Sequence, residues 1–449
     1  MNGRVIIEPV TRVEGHGKVV IEVKEGLVKN VFLHIVEPPR FFEKFLHGKP
    51  AEEAPRITER ICGVCPVAHH LASVKAVESA WDCPKIPEPA LLLRRLLLLG
   101  QFINSHALHL TILALPDYVS LGERNLFTLA KAHPEVVESA LTLRKFGVEI
   151  TEAVGGRGVH PLTAIPGGMS APMSPETREG LIQQSAAALE SSKKLADLFF
   201  DLMEKSWVLE FQPHETCYLA THKNGFHELY DGGLRVIGPD GKTRYEFDAS
   251  TYLDYVAETS MAHSYVKYPY LKDLGYLEGL YRVGPLARLN VGELTGQVSK
   301  AMLNRYRSMF GNPAHNSFAY NLARSMELVD AVEAADRILR DEKIIDLDVR
   351  CEVEARAGVG VGVVEAPRGT LIHHYECDGR GLIEKANLIV ATCQNVPSME
   401  RDVKAMVESN SDLLRSGDVR QLAWKIETLI RAYDPCISCA THLVEVKVS

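Results

Sequence analysis

Residues Arg4–Val10 and Gly17–Val23 are rich in β-branched side chains, and a Lys24-Glu25-Gly26 turn leads from the second run into Val28–Val36. Such runs, separated by a tight turn, predict strands in a hairpin. From about Ile57 to Ile345 the pattern turns helical, interrupted by Gly- and Pro-rich segments. Ser174-Pro175 reads as an N-cap followed by a first-turn proline and predicts a long helix running to about Trp207. Over Glu352–Thr392 the period falls back to strands, two of them joined across Cys377-Asp378-Gly379-Arg380-Gly381. Helices return near Ser398, and the last is predicted to end near Tyr433. No repeat, low-complexity tract or linker divides the 449 residues. The pattern therefore predicts one α+β unit over 1–449, mostly helical, with small sheets near the N-terminus and in the C-terminal quarter.

The most apolar stretch, Leu91 to Leu115, has the composition of a membrane span, but Arg94, Arg95, Gln101, Asn104, His106 and His109 break it. A buried helix is the better reading, and no span is expected. The N-terminus Met1-Asn2-Gly3-Arg4-Val5 lacks the apolar core of a secretory signal. A formal charge of -8 and the lack of a long basic run give no reason to expect nucleic acid.

Nine cysteines, an odd number, argue against a disulfide framework and for metal or redox chemistry. Cys83, Cys217, Cys351, Cys377 and Cys393 stand alone and read as buried small hydrophobes or inert thiols. The other four form two CxxC pairs, Cys62-Gly63-Val64-Cys65 and Cys436-Ile437-Ser438-Cys439, each with a following histidine, His69 or His442. The spacing lets two sulfurs bind one ion, and Pro66 and Pro435 fix the backbone where the pairs are presented. Two such pairs suggest a single four-thiolate site, for which donor chemistry alone names zinc or an iron–sulfur cluster. A zinc staple fits poorly, because this chain has ample apolar core. A lone thioredoxin-like redox pair leaves the second pair unexplained.

The residues around the pairs narrow the choice. Arg60-Ile61-Cys62-Gly63-Val64-Cys65-Pro66-Val67-Ala68-His69 and Asp434-Pro435-Cys436-Ile437-Ser438-Cys439-Ala440-Thr441-His442 closely resemble the two metal motifs of nickel–iron hydrogenase large subunits. Four further segments match that family in order: Arg12–His16, Gly156–Pro161 leading to Pro166-Gly167-Gly168, Val283–Arg288, and Glu365–Gly369. The resemblance spans essentially the whole chain.

It implies that Cys62 and Cys436 are terminal nickel ligands, while Cys65 and Cys439 bridge nickel to an iron carrying carbonyl and cyanide ligands. Soft thiolates suit such a redox-active centre. Arg368, by the same resemblance, sits over the open face of the metals and offsets part of the thiolate charge. Ala391 and Thr392 fall where relatives contact the cyanides, although the usual Pro-Ser/Thr reads Ala391-Thr392 here. Glu14, by its place in the Arg12–His16 motif, is implied by the resemblance to be the proton-transfer group, and protons leaving a dry interior do need a titratable side chain near a thiolate. His69 and Asp434 are expected around the ligands rather than among them. His106 and His109, at i and i+3, are read as core or gas-channel packing.

The resemblance also implies a magnesium or second iron held by Glu43, the Leu388 carbonyl and His442, hard donors for a hard ion. Around Glu43 the common Arg-Gly-apolar-Glu reads Arg40-Phe41-Phe42-Glu43, which, with Glu37-Pro38-Pro39 before it, resembles the cytoplasmic multi-subunit sulfhydrogenase-type enzymes. The implied reaction is reversible heterolytic cleavage of dihydrogen. Electrons must leave through an iron–sulfur small subunit, then through further flavin or iron–sulfur subunits, because this chain has too few spare clustered cysteines. A maturation protease is expected to remove residues 443–449 after His442. Two rivals stand beside this reading. One is the quinone-site subunit of respiratory complex I, which lacks the cysteine pairs, and the other is a hydrogen-sensing family member.

Overall fold

The computed structural model describes residues 3–35, 40–119, 123–416 and 418–441. Its N-terminal sheet follows the predicted hairpin. Gly3–Ile7, Gly17–Lys24 and Leu27–Ile35 pair antiparallel in chain order. Val19, Ile21, Leu33 and Ile35 turn inward from it, and the third strand packs on the helix Ala391–Ser409. The connection between the first two strands, which carries Arg12 and Glu14, is thereby held against the C-terminal segment. Ile437 N–H donates to the Glu14 carbonyl at 3.0 Å.

Pro66 opens the helix Pro66–Ala80 in its first turn, with Cys65 as N-cap. The helix is buried along nearly its whole length, and the strand Gly358–Ala366 lies directly on it. A Cβ on Gly360 would stand 2.1 Å from the Ala76 carbonyl, and one on Gly362 would stand 2.0 Å from that of Ala72. Glycine on the strand and alanine on the helix thus let the two backbones touch. This strand pairs antiparallel with Gly369–Cys377, which pairs with Ile383–Ile389, giving the C-terminal sheet the sequence predicts. The Pro367-Arg368 turn joins its first two strands at the end nearest the cysteines.

Four long helices, Glu88–Leu108, Pro134–Gly155, Pro175–Met203 and Ala319–Arg340, pack together beside this frame. Ser174 caps the third as predicted, its hydroxyl accepting from Thr177 N–H. Glu88–Asp117 is long and apolar enough to cross a membrane, yet 78 % of its apolar window is buried inside the protein. The polar residues that break this stretch have interior partners. Arg94, fully buried, makes a two-pronged pair with Glu78 at 2.6 and 3.0 Å. Arg282 pairs likewise with Asp402, Arg288 with Glu327 and Glu365, and Arg431 with Asp117.

The antiparallel pair Val256–Ser260 and Lys267–Leu271 stands in the region read as helical, and two larger elements also differ from the sequence reading. A five-stranded sheet stands within the region read as helical, with Cys217–Lys223 at its centre, Gly233–Ile237 and Thr243–Phe247 on one side, Tyr281–Arg282 on the other, and the short strand Phe226–His227 paired to the end of the central one. Its strands are short, and the helical blocks on either side dominate the period. The other difference is the helix Ala391–Ser409, which starts before the predicted Ser398 and contains Pro397. Pro397 is the seventh residue of this helix, past its first turn, where it removes one intrahelical N–H and reads in the sequence as a helix boundary.

Candidate metal centre

The fold brings the two CxxC pairs into one cluster from positions 374 residues apart. Cys62 Sγ lies 3.5 Å from Cys436 Sγ and Cys65 Sγ lies 3.6 Å from Cys439 Sγ. All four sulfurs fall within 4.8 Å of one another, and all are buried. The first pair is shaped locally. Val64 and Cys65 N–H both donate to Cys62 Sγ, at 3.2 and 3.1 Å, and the chain then enters the helix Pro66–Ala80. Gln101 on the neighbouring helix accepts from Val67 N–H at 2.7 Å. The second pair sits on the single turn Ile437–Ala440 and is fixed from outside. Thr392 Oγ1 accepts from Cys436 N–H at 2.9 Å. The Glu14 carboxylate accepts from Ser438 N–H at 3.0 Å and lies 3.1 Å from Cys436 Sγ.

Burial opposes ionisation of Cys62 and Cys436, yet hydrogen bonds from neighbouring thiols hold both below the ordinary thiol range. Cys65 is driven up, chiefly by its hydrogen bond with Cys436, and Cys439 is driven up by burial and then by its neighbours. Such a set cannot all ionise without added positive charge. Arg368 supplies part of it. Its Nε donates to the Asp434 carbonyl at 2.8 Å and its Nη2 to Asp434 Oδ1 at 3.0 Å, while its buried Nη1 has no hydrogen-bond partner among the described residues. Gly284 lets the chain approach here, since a Cβ on it would stand 2.6 Å from the Arg368 carbonyl. Burial favours the neutral form of Asp434, but Arg368 and His109 hold its carboxyl well below the usual range.

A cluster of four buried soft donors, with a guanidinium beside it, fits a thiolate-bound redox metal centre. A family model described as nickel-dependent hydrogenase matches residues 40–137 and 222–442. The chain belongs to the nickel-dependent hydrogenase family. A second model, described as HoxL-like, matches residues 4–37. A chain of the vhu F420-non-reducing hydrogenase of Methanocaldococcus jannaschii is 47% identical over 90% of this chain and 98% of its own length. The beta chain of the NAD-reducing hydrogenase HoxS of Cupriavidus necator is 36% identical over 98% of this chain and 94% of its own length. Among solved structures, an NAD+-reducing NiFe hydrogenase in the H2-reduced state superposes with a TM-score of 0.93 at 36% identity, covering 98% of this chain and 99% of that one. The fold is that of the hydrogenase large subunit, α+β as predicted.

Around the cluster of this hydrogenase, the other residues that the sequence singles out have their own partners. His69 Nδ1 lies 3.2 Å from His373 Nε2, and His373 Nδ1 lies 2.8 Å from the Tyr375 hydroxyl, a buried chain leading away from the first pair. Glu43 accepts from Leu388 N–H at 2.8 Å, so these two residues meet through the amide of Leu388. Burial pushes the Glu43 carboxyl up to about 8. His442, the third residue expected there, lies outside the described residues. His106 and His109 do not share a partner. His106 Nε2 lies 3.1 Å from Glu327, whereas His109, which opens the π-helical turn His109–Ala114, stands 3.0 Å from Asp434 Oδ1. His109 therefore belongs to the Arg368–Asp434 group rather than to plain core packing. Cys83 and Cys351, read as solitary, come within hydrogen-bonding reach of each other.

Sequence reasoning missed Gln101, Arg324 and Arg40 around the site. Arg324 is fully buried and donates to Asn321 and to the Ala432 carbonyl. Nothing in the local sequence marks such residues, because their partners are distant in the chain.

Proposed function

We propose that this chain is the catalytic subunit of a nickel–iron hydrogenase, cleaving dihydrogen heterolytically and reversibly and passing electrons to an iron–sulfur small subunit. The observation that carries the reading is the closed cluster of Cys62, Cys65, Cys436 and Cys439 in a chain of the nickel-dependent hydrogenase family. Cys62 and Cys436 would hold nickel terminally, and Cys65 and Cys439 would bridge it to an iron with carbonyl and cyanide ligands. When bound, that centre supplies a soft, redox-active position at which dihydrogen is polarised and split.

The protein's own part is to balance charge, exclude water and move the proton. Arg368, anchored on Asp434, holds a fixed positive charge beside the sulfurs. Thr392 keeps the Cys436 amide from standing unpaired. Glu14 takes the proton. Burial, and after it the neighbouring Cys436, pushes its carboxyl up to about 7, so that it can both accept and release a proton near neutrality. His69, outside the ligand set, would support the first pair from behind, its ring resting on His373. Glu43, the Leu388 carbonyl and His442 would hold magnesium or a second iron.

On this reading the chain is one functional unit over 1–449, works in the cytoplasm with flavin or iron–sulfur electron-transfer subunits, and ends at His442 after a maturation protease removes 443–449. Mass spectrometry of active protein should show that shortened end. The reaction itself is tested by isotope exchange. The purified complex under D2 in ordinary water should release HD, because one deuteron leaves through Glu14 to solvent. Metal-replete protein that releases no HD would refute the proposal.

A further inference from the structure

The two cysteine pairs come from opposite ends of the chain, and their sulfurs repel one another once ionised. Something other than the metals must hold the two segments in register while the site is being filled. Arg40 lies between them. Its Nη2 donates both to the Ile61 carbonyl and to the Ser438 carbonyl. Ile61 directly precedes Cys62, and Ser438 directly precedes Cys439. The same residue's backbone N–H donates to the Thr441 carbonyl at 2.8 Å. Its guanidinium is placed 5.3 Å from the centre of the Phe42 ring, and its buried Nε has no hydrogen-bond partner among the described residues. A single cation thus ties one peptide group beside a cysteine of the first pair to one beside a cysteine of the second.

We infer that Arg40 is a positioning residue that fixes the spacing of the two cysteine-bearing segments, so that the four sulfurs are set for metal before any metal arrives. This rests on the four-thiolate reading of the site. A charged donor on both carbonyls has two effects. It adds a charge-assisted bond to each carbonyl, that of Ser438 also accepting from Thr441 Oγ1 at 3.2 Å, and it places positive charge at the seam where the thiolates gather. Lysine can offer charge and donors from a compact, shorter head, and so can replace arginine only in part. Methionine keeps bulk and offers neither.

The test uses the full-length chain prepared free of metal and titrated with cobalt(II) alone, whose thiolate charge-transfer and ligand-field bands report sulfur number and geometry. Relative to the parent protein, Arg40→Met should bind cobalt about tenfold more weakly or worse, with shifted ligand-field bands. Arg40→Lys should fall between the two. Arg282→Lys serves as control, because Arg282 is as deeply buried but bonds Asp402 and the carbonyls of His214 and His315. Its folded fraction should bind cobalt as the parent does, even with a lower melting temperature. Parent-like affinity and bands in Arg40→Met overturn the inference, as does a loss matched by Arg282→Lys. If Arg40→Met does not fold, parent-like affinity and bands in Arg40→Lys overturn it. A parent chain that binds no cobalt overturns the four-thiolate reading and this inference with it.

Discussion

The two cysteine pairs reach the same cluster by opposite means. Cys62 and Cys65 are organised by their own neighbours, through two amides on the Cys62 sulfur and a helix that begins at Cys65 and is clamped by the glycine strand behind it. Cys436 and Cys439 stand on a single helical turn, and what fixes that turn comes from far along the chain: Glu14, Arg40 and Thr392. One half of the site is held by local structure and the other by contacts from distant segments. The second half is therefore the one most open to disturbance by substitution, and the contacts that close it are long-range side-chain bonds rather than secondary structure.

The largest effect is expected at Glu14, which clamps the second pair and is the proposed proton carrier. Glu14→Gln keeps the shape and an acceptor for Ser438 N–H but cannot shuttle a proton. Turnover should fall about a hundredfold or more while the metals stay in place. Metal loss in step with activity would mean that the clamp matters more than the proton. Full activity in a metal-replete variant would show that protons leave elsewhere.

Acid should loosen the frame under the first pair. Burial pushes the imidazole of His106 down to about 4, against about 6.5 in the unfolded chain. The folded protein then binds fewer protons than the unfolded one between those values, so stability is full above about pH 6.5 and is lost as pH falls toward about 4. Urea midpoints should drop by the equivalent of about 2 kcal/mol from about pH 7 to about pH 5. A His106→Gln variant that keeps the same slope would assign it to other groups.

Thr392→Val isolates the clamp on the second pair. It leaves the buried Cys436 amide without its acceptor, at a cost of about 1–3 kcal/mol. The variant should release nickel to a chelator faster than the parent. Unchanged release would show that Glu14 and Arg40 suffice. The smallest effect is expected at Phe41, beside Arg40. Its backbone is left-handed, with φ 57 and ψ 28, and its side chain is 43% exposed. Phe41→Gly should raise stability by about 0.5–1 kcal/mol in thermal melts, because a side chain in that conformation is strained. A fall in melting temperature would mean that the exposed ring contributes more than the backbone costs.

The same contrast governs what was legible in the sequence. Elements whose signals are local were readable: the hairpin closed at Glu25-Gly26, the cap at Ser174 and the C-terminal sheet with its glycine-rich strand. The central sheet was not read, although Gly238-Pro239-Asp240-Gly241 is a turn signal between two of its strands. The four cysteines declared themselves by spacing and wording. Arg40 and Gln101, and the tie of His109 to Asp434, did not, because each acts on a partner that only the fold brings near. The substitution of Phe41 for the family's usual glycine was visible in the sequence as a departure. Its meaning, a bulky residue on a left-handed backbone, needed the structure.

The central claim is that the four sulfurs of Cys62, Cys65, Cys436 and Cys439 hold nickel and iron. Elemental analysis combined with infrared spectroscopy of the active complex tests it most directly. Nickel should be present in each working chain, together with bands in the triple-bond region from carbonyl and cyanide that no amino acid produces. Active protein containing stoichiometric zinc and neither nickel nor those bands would contradict it.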